Sequence, residues 1–233
     1  MRIAVLGYHK IGECPGGHDS WFYVSEELFE LQLRCIRDHG WRVIDIQQFL
    51  AALVSPDAVP GKSVLLTFDD GYRSTTQGAL SLLRRFSLPA VLFVPGGFIG
   101  GRNDFDAGIE PPESICDWED LLDLEKHGIS IQSHGISHRR LSSLDEDELD
   151  REISGSKKLL DARLRRAVDV FSYPYGDGGK DRDTSTRALR RAGYKAAFGF
   201  GGRPMTLPIP DPYRVERIPM GPDTNLAVEL GDA

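Results

Sequence analysis

Short runs rich in apolar and β-branched residues alternate along the chain with longer segments in which apolar residues recur every three or four positions. The first pattern predicts strands over residues 2–6, 42–44, 63–68, 90–94, 129–133, 168–172, 195–198 and 214–218. The second predicts helices near residues 26–39, 46–53, 75–86, 114–126, 146–164 and 184–192. Three helices end on "DHG", "KHG" or "RAG", where a glycine follows a basic last turn and can take the left-handed conformation that stops a helix. Repeated strand–helix alternation implies a parallel α/β architecture, either a barrel or an open sheet. No repeat, low-complexity tract or long linker interrupts it, so residues 1–233 read as one domain. Residues 12–20 and 96–113, rich in glycine, read as loop insertions at strand ends.

In either parallel architecture ligands gather at the carboxyl ends of the strands. Polar residues placed directly after predicted strands should therefore converge. Four such clusters stand out: Tyr8–His9, Asp69–Asp70, "SHGISH" at 133–138 and "YPYG" at 173–176. One helical turn would aim His134 and His138 at a common point. Two imidazoles and a carboxylate make a common divalent-metal set. Adjacent Asp69 and Asp70 repel, and a cation held by Asp70, His134 and His138 would compensate one of them. Asp69 would then serve as base toward a water whose pKa a zinc ion lowers to about 7. Taken singly, each motif has a plainer reading. "DDG" can be a helix cap or a turn, and this HxxxH lacks the glutamate of HExxH and contains Gly135, which disfavours a long helix. Their joint placement after strands of one chain favours the metal site.

Composition narrows the partners. A formal net charge of −7, with no basic block, excludes a phosphate-neutralising surface and hence a nucleic-acid partner. The arginine clusters at 163–166 and 187–191 fall in helical patterns and read as solvated helix faces. Three cysteines at wide spacing, without CxxC, exclude a disulfide framework and a cysteine zinc site. The amino-terminal run is too short for a signal peptide and no segment is long enough to span a membrane, so the sequence as written reads as cytoplasmic.

At these residues the sequence resembles the polysaccharide deacetylase family, also called the NodB-homology domain or carbohydrate esterase family four. "TFDDG" at 67–71 is similar to its first motif, "SHGISH" to its second and "FSYPYG" at 171–176 to its third. "LGYHKI", "FELQLRCIRDHGWRVI" and "AVLFVPGGFIG" read like the branch that opens with a Tyr-His strand. The resemblance implies a distorted (β/α)7 TIM-like barrel and metal-dependent removal of acetyl groups from an N-acetylated carbohydrate. It implies Asp69 as catalytic base and Asp70, His134 and His138 as ligands of zinc, or of cobalt or nickel. It also implies Tyr175 as donor of a backbone N–H to the oxyanion and Pro174 as the residue shaping that groove.

Two departures stand out. Ser172 occupies the place where the third motif usually has arginine, and no histidine follows His138 to protonate the leaving amine. Arg217, at the end of the last predicted strand, could approach Asp69 or could pair with Glu216 at the surface. His9 could be the general acid, a substrate contact, or a histidine bonded to backbone. Of the remaining histidines, His18 reads as exposed, and His39 and His127 as helix-end residues. Trp21, Phe22 and Tyr23 could stack on sugar rings or staple the following helix, and Trp118 reads as core or groove. A non-sugar linear or cyclic amide and a catalytically silent glycan-binding role are the alternatives to carbohydrate deacetylation.

Overall fold

The structure, a computed structural model, describes residues 1–231. The chain runs β1 (Arg2–Tyr8), β2 (Lys10–Ile11), β3 (Tyr23–Val24), α1 (Glu26–Asp38), β4 (Arg42–Val43), α2 (Ile46–Val54), β5 (Lys62–Phe68), α3 (Leu80–Phe86), β6 (Ala90–Val94) and α4 (Trp118–Lys126). It continues with β7 (Ile129–Ser133), α5 (Glu146–Asp150), α6 (Ser156–Asp161), β8 (Val170–Ser172), α7 (Arg182–Ala192), β9 (Ala196–Phe198), β10 (Met205–Thr206), β11 (Ile218–Pro219) and α8 (Leu226–Glu229). The central strands follow the order β1-β5-β6-β7-β8-β9, all parallel. The segment after β9 closes the ring: Val215 bridges to Phe198, and β11 pairs with β1. The result is a distorted (β/α)7 barrel whose seventh strand is broken into two short pieces.

Alternation along the strands sorts the core into two clusters. Ile3 and Val5 of β1, Leu65 of β5, Val91 and Phe93 of β6 and Phe198 of β9 pack together with Phe49 of α2. Their sequence neighbours Ala4, Leu6, Leu66 and Leu92 belong to the other cluster, shared with α1, α3 and α4. Both faces of β5 and β6 are therefore buried, which is why these strands read as continuous apolar runs and not as polar–apolar alternation.

Register fixes the site. β1 and β5 pair from Arg2↔Lys62 to Tyr8↔Phe68, and β6 and β7 run level to Val94↔Ser133. The residues one step further, His9, Asp69 and His134, thus emerge at the same end of the barrel.

Several helices depart from the pattern. The one expected from residue 114 starts at Trp118, because Asp117 caps it in a reciprocal box with Asp120 while Ile115 bridges to Tyr72. Residues 75–79 form a π-helical turn before α3, and Arg151–Gly155 form another between α5 and α6. The helix expected to reach 164 ends at Asp161, so the arginine cluster at 163–166 lies in a loop whose N–H groups at Arg165 and Arg166 are accepted by Glu125. The strand expected over 214–218 is broken because a Pro212–Arg214 turn, capped by Asp211, occupies its start.

Phe198 is fully buried between Phe49 and Phe93, with ring centroids 5.3 and 5.5 Å away. Phe198→Ala should lower unfolding free energy by about 3–5 kcal/mol in chemical denaturation, and a loss under ~1 kcal/mol would contradict this packing.

Candidate active site

Asp69 leaves β5 with its backbone N–H donated to the Tyr8 carbonyl (2.9 Å) and its carboxylate buried. Arg217, from the closing strand, meets it in a fork: Nη1 lies 2.7 Å from Oδ1 and Nη2 2.7 Å from Oδ2. The remaining donors of the guanidinium are also used, by Thr67 Oγ1 (3.2 Å), Ser172 Oγ (2.9 Å) and the Gly199 carbonyl (2.7 Å). All five N–H groups of a fully buried arginine are therefore satisfied. Burial alone would raise the Asp69 pKa, but the Arg217 charge, helped by His134, outweighs it and holds the carboxyl below its ordinary value. Ser172, at the third-motif position where arginine was expected, accepts from Arg217. The guanidinium comes instead from the closing segment, which follows β9.

Asp70 has a left-handed φ of 69°, followed by Gly71 at 70°, and both carboxylates border His134 Nε2, Asp69 Oδ2 at 3.8 Å and Asp70 Oδ1 at 3.4 Å. A Cβ on Gly71 would sit 2.8 Å from Val94 Cγ1, which makes glycine necessary there. Asp70 Oδ1 lies 3.1 Å from His138 Nε2 and 3.4 Å from His134 Nε2, yet it is buried without a hydrogen-bond partner. The ligand atoms of Asp70, His134 and His138 lie within 4.8 Å of one another. His134 Nδ1 donates to the Ser172 carbonyl at 2.8 Å, which would leave Nε2 of the neutral ring free for a cation. A buried carboxylate oxygen left unpaired between two imidazole nitrogens is a donor set that fits a divalent cation.

The His134–His138 segment is not the helical turn expected from its spacing. Gly135 has φ 79° and His138 φ 54°, so the imidazoles converge from a loop. Burial would lower His134, but Asp69 and Asp70 outweigh it and hold it above its ordinary value. Burial would likewise raise Asp70, and His138 and His134 hold it well below the usual carboxylate range.

These groups floor a cavity of about 370 Å³. His9 is on its wall, with Nε2 4.0 Å from Asp70 Oδ2 and its ring between Phe22 and Phe200, 4.5 and 5.4 Å away. Burial pushes His9 below the ordinary imidazole value, against the pull of Asp70 and Asp69. Tyr175 also lines the cavity, in the turn Pro174–Gly176 where its own φ is 58°, whereas Pro174, which opens that turn, is buried and off the cavity wall. Of the aromatic triplet, Phe22 alone reaches the cavity. Trp21 donates to Asp223 (2.6 Å), and Tyr23 is buried against Lys10. His18 is exposed, and His39 and His127 are helix C-caps.

Sequence reasoning missed Phe200, Asp106 and Arg140, which share the same wall. Phe200 follows β9 and obeys the strand-end rule that found the others. Asp106 lies in the flagged 96–113 loop and accepts from the Tyr175 hydroxyl at 3.0 Å, while Arg140 stacks on the Tyr175 ring at 4.4 Å.

The chain belongs to the polysaccharide deacetylase family, whose sequence profile matches residues 57–197. A Bacillus subtilis (strain 168) protein named as a polysaccharide deacetylase, YxkH, is 27% identical over 194 residues, 83% of this chain and 63% of its own length. The poly-β-1,6-N-acetyl-D-glucosamine N-deacetylase of Staphylococcus aureus (strain MSSA476) is 23% identical over 207 residues, covering 87% of this chain and 69% of that protein. The chain thus spans under two thirds of the first relative and little more of the second. Among solved structures, the Streptococcus pyogenes deacetylase PplD in complex with acetate superposes with a TM-score of 0.84 at 22% identity, over 100% of this chain and 98% of that one. IcaB from Ammonifex degensii superposes with a TM-score of 0.80 at 25% identity, over 100% and 97%.

Two outcomes are expected. Arg217→Met strands Asp69 as a buried, unpaired anion and should cost about 3–5 kcal/mol of stability in urea unfolding; a change within ~0.5 kcal/mol would show that the pair contributes little. Because His134 is held above the ordinary imidazole value, a cation competes with a proton for its nitrogen. Zinc affinity in a chelator competition should therefore fall steadily as pH is lowered from 8 toward 6, and a flat profile would contradict the ligand assignment.

Proposed function

We propose that this chain is a metal-dependent hydrolase that removes acetyl groups from an N-acetylated carbohydrate, cleaving the amide C–N bond. One observation carries the reading: the Arg217-paired carboxylate of Asp69 stands beside the Asp70, His134 and His138 donor set on one cavity floor. The most suitable ion is Zn2+, with Co2+ or Ni2+ as alternatives given two nitrogens and one oxygen as donors. Such an ion would supply Lewis acidity, polarising the acetyl carbonyl and acidifying the attacking water.

The chain's own groups do the rest. Asp69, kept ionised by Arg217, takes the proton of the attacking water. Its lowered basicity would be tolerable with an ion held by Asp70, His134 and His138, which would make that proton easier to remove. The Tyr175 backbone N–H, presented by the left-handed turn, donates to the oxyanion that develops as the carbonyl carbon becomes tetrahedral. His9, across the cavity, gives a proton to the departing nitrogen and so fills the role for which no later histidine exists. Burial holds the His9 imidazole below its ordinary value, and the proton that reaches the nitrogen balances the one Asp69 removes from the attacking water. Phe22 and Phe200 present apolar surface on which the sugar ring can stack.

The family assignment and the substrate in the name of the Staphylococcus aureus relative support an N-acetylglucosamine polymer as the first substrate to try. Acetate release from zinc-loaded protein on poly-β-1,6-N-acetyl-D-glucosamine and on N-acetylated chitooligosaccharides should be measurable. It should drop about a hundred- to ten-thousandfold in Asp69→Asn while zinc binding persists. Release unaffected by that substitution would remove Asp69 from the chemistry. No release from any N-acetylated sugar by the zinc-loaded wild type would sink the carbohydrate reading.

A further inference from the structure

The loop that carries His134 and His138 has two left-handed residues in five, Gly135 and His138, with a local bond from Gly135 N–H to Ser133 Oγ at 3.2 Å. It is held from two sides. On one side the carbonyls of Gly135 and Ile136 accept the backbone N–H groups of Gly96 and Gly97, each at 2.8 Å. A Cβ on Gly97 would fall 2.7 Å from the Ile136 oxygen, so "PGG" after β6 is a docking edge for this loop. On the other side the N–H groups of Ile136 and Ser137 turn inward to a single carboxylate, that of Glu152. Ile136 N lies 2.8 Å from Oε2, Ser137 N lies 2.9 Å from Oε2 and 3.2 Å from Oε1, and Ser137 Oγ lies 2.5 Å from Oε1.

Glu152 is 7% exposed, and no lysine, arginine or histidine pairs with it among the described residues. A carboxylate so buried is compensated by the donors of this loop alone, and both its oxygens are used. It sits in the π-helical turn Arg151–Gly155, a backbone form that recurs at functional sites and that here shifts the helix phase at this residue. Gly135 completes the fit, since a Cβ there would come 2.9 Å from Glu152 Oε2.

We propose that Glu152 is a positioning residue for the metal ligands: its carboxylate gathers the inner N–H groups of the His134–His138 loop and fixes the angle between the two imidazoles. The role rests on the reading of Asp70, His134 and His138 as a metal site and requires no particular substrate. A glutamine at 152 would set an NH2 group against one of these donors, so even this isosteric change breaks the two-oxygen clamp.

The test compares wild type, Glu152→Gln and Ser137→Ala, each shown folded by circular dichroism. Zinc dissociation constants come from competition with a chromophoric chelator, and the visible spectrum of each cobalt-loaded protein is recorded. Glu152→Gln is expected to bind zinc about tenfold or more weakly and to show a changed cobalt spectrum. Ser137→Ala, which removes one donor and leaves the backbone pair, should weaken binding less. A Glu152→Gln protein with lowered thermal stability but unchanged zinc affinity and cobalt spectrum would overturn the proposal and leave Glu152 a scaffold residue. If that variant does not fold, Ser137→Ala decides: weakened binding supports the clamp and wild-type affinity overturns it. Wild-type protein that binds neither ion would instead overturn the metal-site reading itself, and this role with it.

Discussion

The ion pair between Asp69 and Arg217 constrains the rest of the molecule. Two opposite charges are taken almost entirely out of bulk water, a step that costs several kcal/mol per ion unless geometry and hydrogen bonding offset it. The offset is complete here, with a forked pair at 2.7 Å and every other guanidinium N–H accepted by Thr67, Ser172 or the Gly199 carbonyl. Those acceptors come from β5, β8 and the end of β9, so the pair forms only when the barrel has closed around it. Phe93 and Phe200, with ring centroids 5.5 Å from the guanidinium, exclude water on its open sides. Closure of the seventh strand and the chemical state of Asp69 are thus one event. A chain that failed to bring residues 215–219 against β1 and β9 would leave two buried charges unmatched.

This pair resolves the electrostatic problem of adjacent aspartates. Asp69 is neutralised by an internal cation that belongs to the fold, while Asp70 points to imidazole nitrogens that suit an external one. Asp70 itself holds left-handed backbone. Of the described non-glycine residues with positive φ, three are Asp70, His138 and Tyr175, and only Ser87 lies elsewhere. Each such conformation costs of order 1–3 kcal/mol and persists only where surroundings enforce it. Gly71 against Val94 and the clamp on the His134–His138 loop provide that enforcement here.

Much of this was legible in the sequence. Apolar runs marked the parallel strands, and the polar residues just past them, His9, Asp69, Asp70, His134 and Tyr175, arrive at one barrel mouth because strand register is level there. What escaped has physical causes. His134 and His138 converge by way of two left-handed residues, a geometry that three-residue spacing does not specify. The π-helical turns shift phase without altering hydrophobic periodicity enough to be read. Glu152 looked like one more acid in a helix, and nothing short of the loop's inward N–H groups distinguishes it. Asp106 and Arg140 enter through loop conformation. Arg217 was found by position but not decided, since its sequence neighbour Glu216 offered an equal partner, and only barrel closure favours Asp69.

The most direct measurement is the pH profile of kcat/KM for acetate release by zinc-loaded wild type and Arg217→Gln, with the folded fraction matched by circular dichroism. Arg217 stabilises ionised Asp69, so removing its charge must raise the pKa of this proposed base and move the acidic limb of the profile to higher pH. An acidic limb that keeps its wild-type position in the variant would show that Arg217 does not set the ionisation of the proposed base, and would contradict the account.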